Sequence, residues 1–317
     1  MVLPGRLMTR FLLATWTAVW LAGIAPSAGA ADAGATPGAA AQPDSLQRAV
    51  QAGRLRIGYA NEAPFAYMDS RAGRLTGEAP EIARVILGRL GIGEVEGVLT
   101  EFGALIPGLL AGRFDMIAAG MYVLPDRCRQ IAFSNPTYGV GDGFLQRTDN
   151  PRRLHGYADV AADPGARVGV VVGAVQNDYA ARAGVPPSQV VVFPDVVSAV
   201  EGVVAGRADV YAATALTLNY VLTKVPDWQI DKVARFVQPT ENGEAVRGYG
   251  AFGFRQGDVA LREAFDRELA HFIGTPEHQR LVEPFGFTAN ELPGDATSAQ
   301  LCGQSPAAAP APASDPS

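Results

Sequence analysis

Residues 108–116 read GLLAGRFDM and residues 202–210 read GVVAGRADV, a match at five of nine positions. Each stretch has the pattern of a helix stopped by glycine, turned by an Arg and an Asp, and sent into an apolar run. Local convergence could produce one such pair, so its weight comes from its surroundings. Before the first copy, residues 55–59 (LRIGY) predict a strand, 80–90 an amphipathic helix ended by Gly91, and 95–99 a second strand. Residues 104–111 predict a helix closed by Gly112, and 114–118 the strand that follows. A second series repeats the rhythm: strand 167–172, helix 175–183, strand 190–193, helix 197–205 and strand 208–212. Strands separated by helices imply right-handed βαβ units and parallel sheets, here as two α/β lobes on one plan.

Gly143 to Arg147 and Tyr249 to Arg255 are β-prone stretches at which the chain can pass between lobes. Two crossings make a hinge, and a cleft between hinged lobes is a natural ligand site. Helices over 259–273 and 276–282 would return to cover the first lobe.

The 317 residues, 48% hydrophobic, suffice for one large or two modest cores. A formal charge of −6 without a basic cluster argues against nucleic acid as a partner. Two cysteines and three scattered histidines form no CxxC…CxxC or HExxH pattern, so no metal and no cofactor is expected.

Residues 1–30 read as an export signal: Arg6 and Arg10, an apolar stretch over 11–25, then Ala28-Gly29-Ala30 at a cleavable spacing. The apolar run falls short of the roughly 20 residues of a membrane span. Cleavage near Ala30 removes two arginines and no acid, taking the formal charge from −6 to −8. Export in soluble form to the periplasm follows, with no cysteine at the cleavage site for a lipid anchor. The Ala/Pro/Gly/Ser tracts 31–44 and 304–317 read as disordered. In an oxidising compartment Cys128 and Cys302 can pair, constraining the unfolded chain by up to about 4–5 kcal/mol; two free thiols are the alternative. The expected organisation is a signal (1–30), a linker (31–45), the first lobe (46–144), the second lobe (145–248), a return segment (249–290) and a C-terminal tail (291–317).

From about Leu55 to Phe287 the chain resembles the type II periplasmic solute-binding proteins of ABC importers, in the family that binds polar amino acids. The resemblance is carried by GMYVLPDRCRQIAFSNP (Gly120 to Pro136), which looks like the family's G-x-x-x-T-x-E-R-x-x-x-x-x-F-S-x-P signature. YANEAPFAY, LTGEAPEIA, VLTEFGALIPGL and CRQIAFSNPTYG look closest to the ectoine/hydroxyectoine-binding subfamily. The resemblance implies an ABC permease as partner, a monomer, and no catalysis. It also places Arg127 where the family grips the ligand carboxylate, as a guanidinium can do bidentately; a surface ion pair with Asp126 is the alternative.

Two positions depart from the family. Tyr122 stands where a small hydroxyl usually accepts from a ligand α-ammonium, and Thr214, eight residues after Gly206, stands where an aspartate usually pairs with it. Both changes disfavour a primary ammonium. Phe65, Phe102 and Tyr122 offer instead an aromatic rim for a delocalised or quaternary cation, worth roughly 0.5–2 kcal/mol each, although core packing would also explain them singly. Glu62 can accept N–H bonds and neutralise that cation, or simply be a solvated loop carboxylate. Val175 and Gln176, at a strand-to-helix turn, together with Thr214 would close over the anion from the second lobe. Asp195 reads as a helix N-cap. The set describes a small zwitterion, with ectoine or hydroxyectoine foremost and a polar amino acid, opine or betaine behind. A cyclohexadienyl-dehydratase-like enzyme using Glu62 as general acid, or a sensory module, are alternatives of other classes.

Overall fold

A computed structural model describes residues 44–149, 152–241 and 243–303. The expected signal, most of the linker and residues 304–317 of the tail lie outside the described residues. Among the described residues no helix is long and apolar enough to cross a membrane.

Two sheets organise the chain. The first carries β1 (Arg54–Tyr59), β4 (Glu94–Leu99), β5 (Met116–Tyr122), β6 (Ala132–Phe133), β7 (Tyr138–Val140) and β15 (Gly248–Phe254). Its order is β4-β1-β5-β15-β6, with β7 also on β15. The second carries β8 (Asp142–Arg147), β9 (Val168–Val171), β10 (Val190–Phe193), β11 (Val210–Thr214) and β12 (Ile230–Lys232), in the order β10-β9-β11-β8-β12. Two small hairpins complete the strands: β2 (Tyr67–Asp69) with β3 (Arg74–Thr76), and β13 (Thr240–Glu241) with β14 (Glu244–Ala245).

The two sheets share a plan. In each, three parallel strands (β4-β1-β5 and β10-β9-β11) are followed by one antiparallel strand belonging to the opposite crossing of the chain, β15 and β8. The sequence echo occupies the same place in both, leading into β5 and into β11, so it reflects architecture and not local coincidence. Both strands begin two residues later than expected, at Met116 and Val210. The cause is the same on each side. Asp115 Oδ2 accepts from the backbone N of Arg56 (3.3 Å) and Asp209 Oδ2 from that of Arg167 (2.8 Å), so each Asp bonds the edge of the neighbouring strand before its own strand starts.

The expected passing stretches are themselves sheet strands, β8 and β15, and the first crossing is narrower than expected. β7 ends in the first sheet at Val140 and β8 opens in the second at Asp142, leaving Gly141 between them. On the return, Gln238 grips that point: its Oε1 accepts from Asp142 N (2.9 Å) and its Nε2 donates to Asp142 O (2.8 Å). The helices Val259–Phe272 and Pro276–Val282 pack on the helix Glu78–Arg89 of the first lobe.

Both ends of the described body carry capped helices. Asp44, assigned to the linker, caps the helix Ser45–Ala52. Residues 291–303, assigned to a tail, follow a capped turn at Ala289–Glu291 and contain the capped helix Ser298–Leu301, which Asn135 Oδ1 holds through Ser298 N (3.1 Å). Cys302 is disulfide-bonded to Cys128. Leu301 and Cys302 also pack against the core of the first lobe around Phe114, Ile117 and Ile131.

Candidate functional site

Glu62 and Phe65 follow β1 in a tight turn in which Phe65 N and Ala66 N both donate to Glu62 O (3.0 and 2.9 Å). The turn turns the carboxylate toward the second lobe, where its Oε1 accepts from Thr217 Oγ1 at 3.1 Å. Phe65 stacks on Tyr138 with centroids 5.0 Å apart. Gly120, inside β5, has φ +65°, and a Cβ there would sit 2.6 Å from the Phe65 ring, so only glycine lets the two pack.

Tyr122 ends β5 nearly buried, and its hydroxyl has no hydrogen-bond partner among the described residues. Five residues on, Arg127 lies in the one-turn helix Pro125–Cys128. Its guanidinium donates to Tyr122 O (2.9 Å) and, across the cleft, to Gly173 O (2.9 Å), while its central carbon lies 5.6 Å from the Phe102 ring centre. Phe102 opens the short 3₁₀ turn Phe102–Ala104.

From the second lobe come Ala174, Val175 and Gln176, where β9 gives way to the helix Gln176–Arg182. Thr214 ends β11 and caps the helix Ala215–Lys224, its Oγ1 accepting from Thr217 N at 3.0 Å. Gly173, with φ +76°, comes so close to the first lobe that a Cβ would lie 2.6 Å from Gly103 Cα. Asp195 caps the helix Val196–Val204 and takes no part in the cleft lining.

All eight residues singled out for ligand contact (Glu62, Phe65, Phe102, Tyr122, Arg127, Val175, Gln176 and Thr214) line one cavity, joined by Gly120 and Ala174. The core reading of the aromatics holds at the same time for two of them: Phe65 and Tyr122 are 2% and 5% exposed, belong to the hydrophobic core, and turn a face to the cavity. The cavity is compact. Its walls lie close together, with Arg127 of the first lobe bonded across it to the Gly173 carbonyl of the second.

Burial dominates the electrostatics. It raises Glu62 to about 7, with the Thr217 hydroxyl pulling the other way. It lowers the Arg127 pKa from its ordinary value and pushes the Tyr122 phenol well up. Two buried acids escaped the sequence reading. Glu78, raised to about 7 by burial, accepts from Thr137 Oγ1 (2.5 Å) and leaves Oε2 without a hydrogen-bond partner among the described residues. Asp142, also raised to about 7, accepts from Tyr157 Oη (2.6 Å) and Gln176 Nε2 (2.7 Å). The signal for Asp142 was a lone acid between two glycines in an apolar, extended stretch. For Glu78 it was an acid on a helix face that is otherwise apolar.

Residues 55–288 match the bacterial extracellular solute-binding proteins, family 3. Over 262 residues the chain is 35% identical to the "probable amino-acid ABC transporter periplasmic-binding protein" of Sinorhizobium fredii, covering 81% of this chain and 86% of that one. Among solved structures it resembles EhuB in complex with hydroxyectoine, at 37% identity and a TM-score of 0.74, over 81% of this chain and 97% of the other. It also resembles the ancestral amino acid-binding protein AncCDT-1, a precursor of cyclohexadienyl dehydratase. There the identity is 26% and the TM-score 0.66, over 76% of this chain and 99% of the other.

Proposed function

The chain belongs to the bacterial extracellular solute-binding proteins, family 3, with the two-lobed type II fold of an ABC importer's binding protein, and from that premise we propose that it captures ectoine or hydroxyectoine. The observation that carries this reading is the pairing of opposite charges in one compact aromatic cavity. Arg127 offers donors to a carboxylate, Glu62 offers an acceptor to a cation, and Phe65, Phe102 and Tyr122 wall the space between them. A cyclic amidinium carboxylate matches these groups. Its carboxylate would take the Arg127 N–H bonds and the orphaned Tyr122 hydroxyl, and its delocalised cation would face the rings and Glu62.

Closure follows from the same groups. Glu62–Thr217, Arg127–Gly173 and the Gly103–Gly173 approach all join the lobes. A ligand that strengthens these contacts shifts the population toward the closed form, the form a permease would receive in the periplasm. The resemblance to EhuB supports the ligand, and the resemblance to amino-acid binding proteins keeps a polar amino acid as the next candidate.

The experiment is a thermal-shift screen followed by calorimetry with ectoine, hydroxyectoine, proline betaine, glutamine and arginine. The first two should give the largest shifts; a larger shift with glutamine or arginine would replace this reading. Glu62, near 7, would also suit a general acid, and the likeness to a dehydratase precursor gives that alternative some footing. Incubation with prephenate or arogenate should yield no aromatic product.

A further inference from the structure

Asp142 does not line the cleft, yet four parts of the molecule meet on it. It opens β8 directly after Gly141, where the chain passes from one sheet to the other, and it is 5% exposed. Gln238, on the returning crossing, holds its backbone N and O. In the sheet it stands opposite Thr214, which lines the cleft. Its carboxylate accepts from Tyr157 on one oxygen and from Gln176 Nε2, 2.7 Å away, on the other. Both side-chain donors are neutral, so this carboxylate is held by geometry and not by a counter-ion.

A primary amide has one donor end and one acceptor end. Asp142 Oδ1 takes the Nε2 end of Gln176, which leaves Oε1 as the end available to the cleft that Gln176 lines; the ionised carboxylate, present above about pH 7, can only accept and so fixes that choice.

We propose that Asp142 is a positioning residue that makes the second lobe's wall of the cleft an acceptor, through Gln176, to complement the acceptor Glu62 on the first lobe; the Gln176 side chain then faces the ligand's N–H groups and not, as expected from the sequence, its carboxylate. This rests on the reading of the cleft as a zwitterion site and names which zwitterion it takes. The ligand must carry N–H groups for both acceptors, as a cyclic amidinium does; a betaine, whose quaternary nitrogen has none, leaves Gln176 Oε1 desolvated and unpaired. Asp142→Asn keeps the shape but gives position 142 a donor. Gln176 can then turn its Oε1 toward Asn and its Nε2 toward the ligand, which sets donor against donor.

The test is calorimetry of the wild type and D142N with ectoine and with proline betaine, each variant checked by thermal unfolding. In the wild type, ectoine should bind at least tenfold tighter than proline betaine. D142N should narrow that preference by tenfold or more, through loss of ectoine affinity. Should D142N fail to fold, Gln176→Met removes the acceptor at similar volume and is expected to narrow the preference equally. An unchanged preference, or equal losses for both ligands, in whichever variant folds overturns the role of Asp142 while leaving the zwitterion reading in place. Failure of the wild type to bind ectoine at all overturns both.

Discussion

The two lobes share a sheet plan and divide the cleft unequally. The first supplies every charged and every aromatic side chain of the lining: Glu62, Phe65, Phe102, Tyr122 and Arg127. The second supplies Ala174, Val175, Gln176 and Thr214, all neutral, together with the Gly173 carbonyl that Arg127 reaches. On the proposed reading, equal architecture with unequal chemistry separates two tasks: the first lobe would recognise the ligand by charge and π-surface, and the second would enclose it and set the polarity of the far wall. First-lobe substitutions should therefore cost affinity outright, and second-lobe substitutions should act on closure and selectivity.

The largest expected effect is Arg127→Ala. Removing the charged partner of a desolvated carboxylate costs about 2–5 kcal/mol, or from about thirtyfold to several-thousandfold in Kd. Calorimetry checks it, and unchanged affinity would remove Arg127 from the site. Tyr122 comes next. Tyr122→Ser removes the ring and should weaken ectoine binding several-fold more than Tyr122→Phe, which keeps the ring and loses only the hydroxyl. Equal losses in the two variants would mean that the hydroxyl, not the aromatic face, carries the contribution.

Gly173→Ala tests the second lobe's share. A Cβ at that position meets Gly103 Cα at 2.6 Å and asks an L-residue to adopt φ +76°. The variant should speed ligand release, read by stopped-flow displacement, with a smaller change in association. A slower association with unchanged release would contradict the division of tasks.

Two further effects concern pH, and they run in opposite directions. Glu78, buried and raised to about 7 from an unfolded value near 4.5, binds its proton more tightly when folded. Its contribution to stability is therefore fully present below about 4.5 and is lost as pH rises toward 7. The unliganded protein should melt at higher temperature at pH 5.5 than at pH 8, by roughly 2–4 °C per kcal/mol, and Glu78→Gln should reduce the difference. Affinity should move the other way. Glu62 must be ionised to neutralise a cation, so Kd should rise by up to about tenfold per unit as pH falls below 7. A Kd flat from pH 8 to 6 would mean that Glu62 does not face the ligand's charge.

Much of this division was legible in the sequence because it follows from local signals. The GLLAGRFDM/GVVAGRADV echo carried the paired architecture, and the cleft lining came from short motifs anchored at Gly120 and Gly206. What escaped depends on distant partners. The start of β5 and β11 moved because Asp115 and Asp209 bond a neighbouring strand. Thr214 was read only as a ligand contact, yet it also caps the helix Ala215–Lys224, which the sequence reading did not assign. Asp142 acquires meaning only when Tyr157 and Gln176, 15 and 34 residues away, are folded onto it.

On the proposed reading, the first lobe's Arg127 and Glu62 bracket a compact zwitterion with a delocalised cation. The most direct test is a calorimetric titration of the wild-type protein with ectoine in competition with glutamine. Saturable one-to-one binding of ectoine that excess glutamine fails to displace is the predicted result. Displacement by glutamine at comparable concentration, or no heat with ectoine, would contradict it.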